Sequence, residues 1–376
     1  MTVRTVDMPR VQRVLEGPGA LGELPAEIER RGARRVVLLS GNSVAALPEV
    51  DALRTALGDR LVAAPTGVEA HNPSGSVEAL VATAREAGAD LLVALGGGSP
   101  VDAGKLVSFA LGEGIERAAD LEAAVGEPTP HGTPVPLVAV PTTLSAAEWN
   151  GLAGLTVERE QTKRGLHHPA LSPAVVVLDP ELAHHTPREL WTTTGVRALD
   201  HGVETVYARD AHPFGTGLAL EALAMLADAL PRSSGEPGDL EATLRCQQAA
   251  ELSVLAVPTV SLGLSHAIGH QLGAAGVPHG VTSCVMLPHV MRFFAEAAPA
   301  AMTRIADALG GHGDASERLA ALLDALAVPR TLRPFGVDED SLDAIADATM
   351  TERDALAAAP RPVSRDDVRG LLADAL

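Results

Sequence analysis

Two kinds of apolar pattern divide the chain. In the first half, short unbroken apolar runs alternate with stretches of helical spacing. RRVVLLSG (34–41), DLLVALGGG (90–98), VPLVAVPTT (135–143) and AVVVLDP (174–180) are such runs. Apolar residues on both alternating positions predict strands buried on both faces, as in a parallel sheet. SVEALVATAREAGA (76–89) has the 3.6-residue period of a helix. Strands separated by helices predict βαβ units and a doubly wound sheet. The pattern changes after about Asp179-Pro180. ALDHGVETVYA, GLALEALAMLADAL and LEATLRCQQAAELSVLA are helical in period, and the remainder, through RDDVRGLLADAL, continues so. The expected boundary is near residue 181, with an α/β domain over 1–181 and an all-α domain over 182–376. The cleft between two such domains is the default ligand site. No internal repeat is visible, and SSGEPGD (233–239) is expected to be a polar loop rather than a linker.

Composition narrows the function. At 376 residues and 46% hydrophobic, the chain can bury two cores, and with 2% aromatics Ala, Leu and Val must fill them. A net charge of −19 argues against nucleic acid and anionic membranes as partners. An anionic substrate would need a local basic pocket. Cys246 and Cys284 form no CxxC pair, which removes zinc-ribbon and dithiol redox chemistry. The N-terminal stretch breaks its apolar residues with charges, unlike a signal peptide. No uninterrupted apolar run approaches the ~20 residues of a membrane span. A cytoplasmic protein acting on a small molecule is expected.

Gly96-Gly97-Gly98-Ser99-Pro100-Val101-Asp102 follows a strand signal and opens a helix signal. Glycines let a backbone approach a ligand closely. Ser99 is expected at the N-cap, Pro100 in the first turn and Asp102 as the return partner of a capping box. Free N–H groups there would face an anion such as a pyrophosphate. The Walker spacing fails, because Leu106 follows Lys105, and the GxGxxG spacing fails at Val101. A tight strand-to-helix turn without a ligand is the alternative.

His266 and His270 stand at i, i+4 and would share a helical face, with His279 expected on a loop returning to that helix end. His201 is a fourth candidate. Isolated histidines are usually satisfied polar residues, but this grouping favours a functional cluster. HExxH zinc chemistry is excluded, since position 267 is Ala.

Together these segments resemble the iron-containing alcohol dehydrogenase superfamily. Gly96 through Lys105 looks like its pyrophosphate loop, and Pro141-Thr142-Thr143 like its second cofactor turn. His266, His270, Pro278 and His279 look like its histidine signature, followed by Leu287-Pro288-His289, and the likeness extends to Pro360-Arg361-Pro362. The resemblance implies a Rossmann-like dinucleotide-binding domain with an all-α C-terminal domain, as in dehydroquinate synthase-like architectures. It also implies NAD(H) or NADP(H) and often a homodimer. Gly97, Gly98 and Ser99 would hold the pyrophosphate. Thr142, Thr143, Lys163 and Leu182 would line the nicotinamide half, with His270 near the nicotinamide and substrate.

The chain departs from that pattern in ways that bear on the metal. Metal-using members carry a ligating Asp where Arg197 stands, four residues before His201. A guanidinium has no lone pair for a cation and would repel one. Asp200 lies about 100° around the helix from His201, a poor replacement. A metal, if bound, would rest on His201, His266 and His279. Glu148 follows Pro141 by seven residues, a loop spacing that looks like the metal-free maleylacetate reductases, though Ser145-Ala146-Ala147 departs from their usual run.

The expected activity is a metal-independent NAD(P)H-dependent reduction of a carbonyl or conjugated alkene in a small carboxylate-bearing substrate. Arg197 would anchor the carboxylate or oxyanion, His270 would donate the proton, and His201, His266 and His279 would complete the pocket. Gly41 and Asn42 end the second strand signal without a carboxylate, which leaves NADH and NADPH equally open. The alternatives are a metal-dependent alcohol dehydrogenase, a dehydroquinate synthase-like lyase and a non-catalytic binding protein.

Overall fold

The structure, a computed structural model, describes residues 11–125, 132–160, 162–235 and 239–376. These divide into two compact units that part between Thr186 and Pro187.

Among the described residues the first unit has eight strands: β1 (Arg13–Glu16), β2 (Val36–Ser40), β3 (Leu61–Ala63), β4 (Leu91–Gly96), β5 (Leu137–Pro141), β6 (Leu152–Val157), β7 (Thr162–His167) and β8 (Val175–Leu178). Six form one parallel sheet in the order β1-β8-β5-β4-β2-β3. Every residue of β2, β4, β5 and β8 is buried. Alternate residues enter opposite cores. Leu38, Val93 and Val138 pack on one face, whereas Leu39, Ala94 and Leu137 pack on the other. The four apolar runs therefore appear as the four inner strands. Both edges lack that signal: β1 and β3 are short and only partly buried. The β6–β7 pair is a separate antiparallel hairpin whose buried Ala153, Leu155 and Val157 do alternate.

Chain order fixes where a ligand can approach this sheet. From β2 the chain moves outward to β3, then returns to β4 on the far side of β2 and continues through β5 to β8. The switch point lies between β2 and β4, and ligands of such sheets bind beyond the carboxyl ends of the strands there. Gly41-Asn42 and Gly96–Ser99 leave those two ends.

The second unit contains helices and, among the described residues, no strand. The Arg188–Tyr207 helix is central. It packs against Pro213–Gly235, Leu240–Ala256 and His279–Phe294 and is buried without a break from Ala198 to Tyr207. Close approach replaces aromatic bulk here: a Cβ at Gly202 would stand 3.0 Å from Leu223 Cγ. The Pro213–Gly235 helix is long and apolar enough to cross a membrane by length and composition alone. Half of its most apolar window is buried within the protein, through residues such as Ala219, Leu223 and Leu226. That helix also corrects the loop expected at 233–239. Ser233 to Gly235 are helical, because Ser233 is held inside by Trp191 Nε1 at 3.0 Å, and 236–238 lie outside the described residues. The N-terminal stretch over 1–10 likewise lies outside them.

Candidate functional site

In the first unit the glycine loop forms a cradle against the turn that follows β5. Gly96 has φ +139°, and a Cβ there would meet Pro100 Cγ at 2.9 Å, so both conformation and space demand glycine. A Cβ on Gly97 would lie 3.1 Å from Thr143 Cγ2, and one on Gly98 3.1 Å from Ser145 Oγ. Thr142 N donates to Gly96 O at 2.9 Å, which ties the two turns together. The helix begins at Gly98 with Gly97 as its N-cap and no side-chain cap. The expected capping box is therefore wrong. Ser99 is already inside the helix, where its Oγ accepts from His71 N at 3.2 Å. Asp102 turns instead to Gly154 N, 3.1 Å away. With no side chain over the first turn, its N–H groups keep their bonding capacity for a ligand.

Two residues beside this cradle carry strain. His71 and Asn72 both adopt left-handed conformations, with φ of 63° and 52°. Thr156 holds them: its N donates to Asn72 O at 3.0 Å and its Oγ1 to His71 O at 2.8 Å. Asn72 Nδ2 also donates to Gly154 O at 3.1 Å. Such strain persists only where the surroundings over-determine it and gathers at functional sites. Burial, and then the Lys163 charge, hold the His71 imidazole below its usual range.

The two lysines of the sequence have different fates. Lys105 is fully buried, with Nζ donating to Ala147 O at 2.6 Å and Leu152 O at 2.5 Å, and lying 3.4 Å from Asp102 Oδ1. It fastens the wall of the cradle and does not reach out of it. Lys163 is exposed on β7, close to Gly154 and Asp102. An amine-selective reagent is therefore expected to modify Lys163 and to spare Lys105. Peptide mass spectrometry reads this directly, and labelled Lys105 in folded protein would contradict the burial. Gly41 and Asn42 stand at the end of β2, where Asn42 packs against Gly67. Leu182 is 1% exposed within the apolar core, so its side chain is spent on packing.

The second unit gathers the histidines around Arg197. The Arg188–Tyr207 helix brings Arg197, Asp200, His201 and Glu204, and the Leu264–Ala274 helix brings Ser265, His266 and His270. His279 is the first residue of the His279–Phe294 helix, not a loop residue as expected, since Pro278 caps that helix in an extended conformation. Its ring nonetheless returns to the preceding helix end, where a Cβ on Gly273 would strike it at 2.5 Å. The rings of His201 and His266 stack with centroids 5.0 Å apart. Although His266 and His270 are one turn apart, only His266 is buried. The His270 side chain is 46% exposed and lies 3.4 Å from Glu352 Oε1.

Two buried carboxylates underlie this cluster. Glu204 accepts from Gly263 N at 2.6 Å, Ser265 N at 2.8 Å and the Tyr207 hydroxyl at 2.8 Å, and its Oε2 is 2.7 Å from His266 Nδ1. Asp200 Oδ2 accepts from Ser265 Oγ at 2.9 Å and Ser283 Oγ at 2.7 Å. Burial holds both imidazoles well below the usual histidine range, helped at His201 by His266 and then Arg197, and at His266 by Arg197 while Asp200 opposes it. Burial pushes both carboxyls up. His266, Arg197 and Ser283 oppose it at Asp200, and the Tyr207, Gly263 and Ser265 donors oppose it at Glu204. Asp200 Oδ1, His201 Nδ1 and His266 Nε2 are buried without a partner among the described residues. Buried polar atoms of that kind call for a partner, which a bound group or an ordered water supplies.

The sequence matches known proteins along its whole length. Residues 11–180 match the family model for iron-containing alcohol dehydrogenase, and residues 191–376 match the Fe-containing alcohol dehydrogenase family, C-terminal. Maleylacetate reductase 2 of Cupriavidus pinatubonensis is 34% identical over 368 residues, covering 96% of this chain and 93% of that protein. The chain belongs to the iron-containing alcohol dehydrogenase superfamily, in its maleylacetate reductase-like branch. Maleylacetate reductase of Pseudomonas aeruginosa is 32% identical, with 97% of this chain and 96% of that protein covered. The crystal structure of maleylacetate reductase from Agrobacterium tumefaciens superposes with a TM-score of 0.84 at 28% identity, over 100% of this chain and 98% of that one. Superfamily membership makes the chain an oxidoreductase and, in broad terms, an NAD(P)H-dependent reductase.

Within this superfamily member the structure brings Arg197, His201 and His266 into one cluster, with His279 beside Gly273 and His270 at its rim. It separately groups Gly96, Gly97, Gly98, Ser99, Thr142 and Thr143, with Asp102 and Lys163 beside Gly154. Glu204, Tyr207, Ser265 and Ser283 were not foreseen, because serine, tyrosine and one more acid in a helical run carry no spacing signal. His71-Asn72-Pro73 could have been found. Asn tolerates the left-handed region, and the residue before Pro avoids the right-handed one.

Proposed function

We propose that this chain is a metal-independent NAD(P)H-dependent reductase of a small carboxylate-bearing carbonyl compound or conjugated alkene. One observation carries this reading: a guanidinium sits among the imidazoles with half its hydrogen-bonding edge uncommitted. Arg197 is 15% exposed and donates only to Ser283 Oγ, at 3.1 Å, among the described residues. A planar cation with spare donors suits a carboxylate or a developing oxyanion.

The donor set supports the absence of a metal. Asp200, Glu204 and His266 place ligand atoms within 4.8 Å of one another. Glu204, however, already serves four donors, and the Arg197 charge lies 3.9 Å from Asp200. A divalent ion would have to displace those bonds beside a fixed positive charge.

The cradle at Gly96–Ser99 fits a dinucleotide, because the helix that starts at Gly98 carries no side-chain cap and its first N–H groups can meet a pyrophosphate. Gly97, Gly98 and Ser99 would hold the pyrophosphate, with Thr142, Thr143 and Lys163 toward the nicotinamide. When bound, a reduced nicotinamide supplies the hydride. Arg197 anchors the substrate carboxylate. Neutral His201 and His266 shape the pocket without adding charge. His270, at the rim and oriented by Glu352, which Gln271 Nε2 holds at 3.0 Å, is assigned the proton donor. The names of the relatives suggest maleylacetate as the first compound to test.

Purified protein dialysed against chelator is expected to oxidise NADH or NADPH in the presence of maleylacetate, at a rate that added iron or zinc does not raise. Activity lost to chelator and restored by metal would establish the metal-dependent alternative. No oxidation of either dinucleotide would remove maleylacetate.

A further inference from the structure

We propose that Ser283 and Asp200 are positioning residues that clamp one edge of Arg197, leaving its opposite edge to meet the substrate anion; this rests on the role proposed for Arg197. Three helices build the clamp. Arg197 and Asp200 stand three residues apart on the Arg188–Tyr207 helix, Ser265 and Gly269 belong to the Leu264–Ala274 helix, and Ser283 to the His279–Phe294 helix. Ser283 Oγ accepts from Arg197 Nη1 at 3.1 Å and donates its own proton to Asp200 Oδ2 at 2.7 Å. One hydroxyl thus relays between a cation and an anion that are 3.9 Å apart, slightly too far for a hydrogen bond of their own. Ser265 Oγ donates to the same oxygen at 2.9 Å and fixes the far end of the relay. Asp200 and Ser283 are fully buried and Ser265 is 1% exposed, so water does not compete for these bonds.

Space is prepared as carefully as charge. Gly269 faces the guanidinium: a Cβ there would stand 3.5 Å from Nη1 and 2.9 Å from Thr282 Oγ1. An arginine has many rotamers, and an anchor is useful only if one is populated before the ligand arrives. The relay selects that rotamer through Nη1. Nε and Nη2 then form the free fork that pairs with a carboxylate in two parallel bonds. Tight anchoring thereby depends on a serine that never touches substrate.

The test compares Ser283→Ala, Ser283→Thr and Arg197→Ala, with maleylacetate as the probe. Ser283→Ala is expected to raise KM for maleylacetate about tenfold while kcat stays within about twofold, the signature of lost binding rather than lost chemistry. KM for the dinucleotide should not change. Ser283→Thr keeps the hydroxyl and should restore KM. A merely structural serine would instead lower kcat and both KM-based efficiencies with stability, and Thr would not rescue it. If Arg197→Ala raises KM but Ser283→Ala does not, the clamp is wrong and the anchor stands. If Arg197→Ala leaves KM unchanged, the anchor itself is wrong. A crystal structure of Ser283→Ala decides the clamp without turnover: the guanidinium should leave its place against Gly269, and an unmoved guanidinium overturns the proposal.

Discussion

Arg197→Ala is expected to lower kcat/KM for a carboxylate substrate by about 100- to 1,000-fold. Hydrogen bonds to charged groups contribute about 1.5–3 kcal/mol each, and a forked pair makes two. The pocket strengthens them, since Asp200, His201 and His266 are all buried. Each 1.4 kcal/mol is about a factor of ten, so the loss of even part of the fork reaches that range. The dinucleotide should bind as before, because its cradle at Gly96–Ser99 lies in the other compact unit. Arg197→Lys keeps the charge but not the planar fork and should recover only a small part of the loss. Steady-state kinetics of the three proteins, with melting temperatures as a control for folding, give the answer. Wild-type efficiency in Arg197→Ala would take Arg197 out of the mechanism.

How much of this was legible beforehand depended on which residues carry periodic signals. The four inner strands read plainly because burial on both faces demands unbroken apolar runs, as in VVLLS and LLVALG. The edge strands β1 and β3 did not, since one exposed side relaxes that demand. The glycine loop was legible as a ligand-approaching turn, but its capping was not. Whether a helix starts at Gly98 or at Pro100 depends on Thr143 and Ser145 packing against the loop, contacts made more than forty residues away. Arg197 stood out because it breaks a ligand pattern. Its partners did not, because Ser283 lies on a different helix and only the packing of three helices brings it within 3.1 Å. Asp200 looked unsuitable by its angle from His201. That angle is the very reason it serves the other helices, accepting from Ser265 and Ser283 while His201 stacks on His266.

The largest loss of stability from a single truncation near this site is expected at Glu204. Its carboxylate joins the turn before the Leu264–Ala274 helix to the Arg188–Tyr207 helix. It takes up the N–H groups of Gly263 and Ser265 at 2.6 and 2.8 Å, which the start of a helix leaves without partners. It also accepts the Tyr207 hydroxyl and fixes His266 through Nδ1, leaving Nε2 of that ring for the pocket. Glu204→Ala strands these donors where water cannot reach them, at about 1–3 kcal/mol for each unsatisfied group. With partial relaxation the sum comes to about 4 kcal/mol, among the larger effects of any point mutation. For a unit of this size that corresponds to a fall in Tm of about 10 °C. Glu204→Gln should recover little despite its matching shape. Both carboxylate oxygens accept from backbone N–H groups, so the amide nitrogen must face either Gly263 N or Ser265 N, donor against donor. Calorimetry of the two variants would show this as a shared large drop in Tm. A Glu204→Ala protein melting within about 2 °C of the wild type would mean that these bonds are replaced by water, and that the helix start is open to solvent.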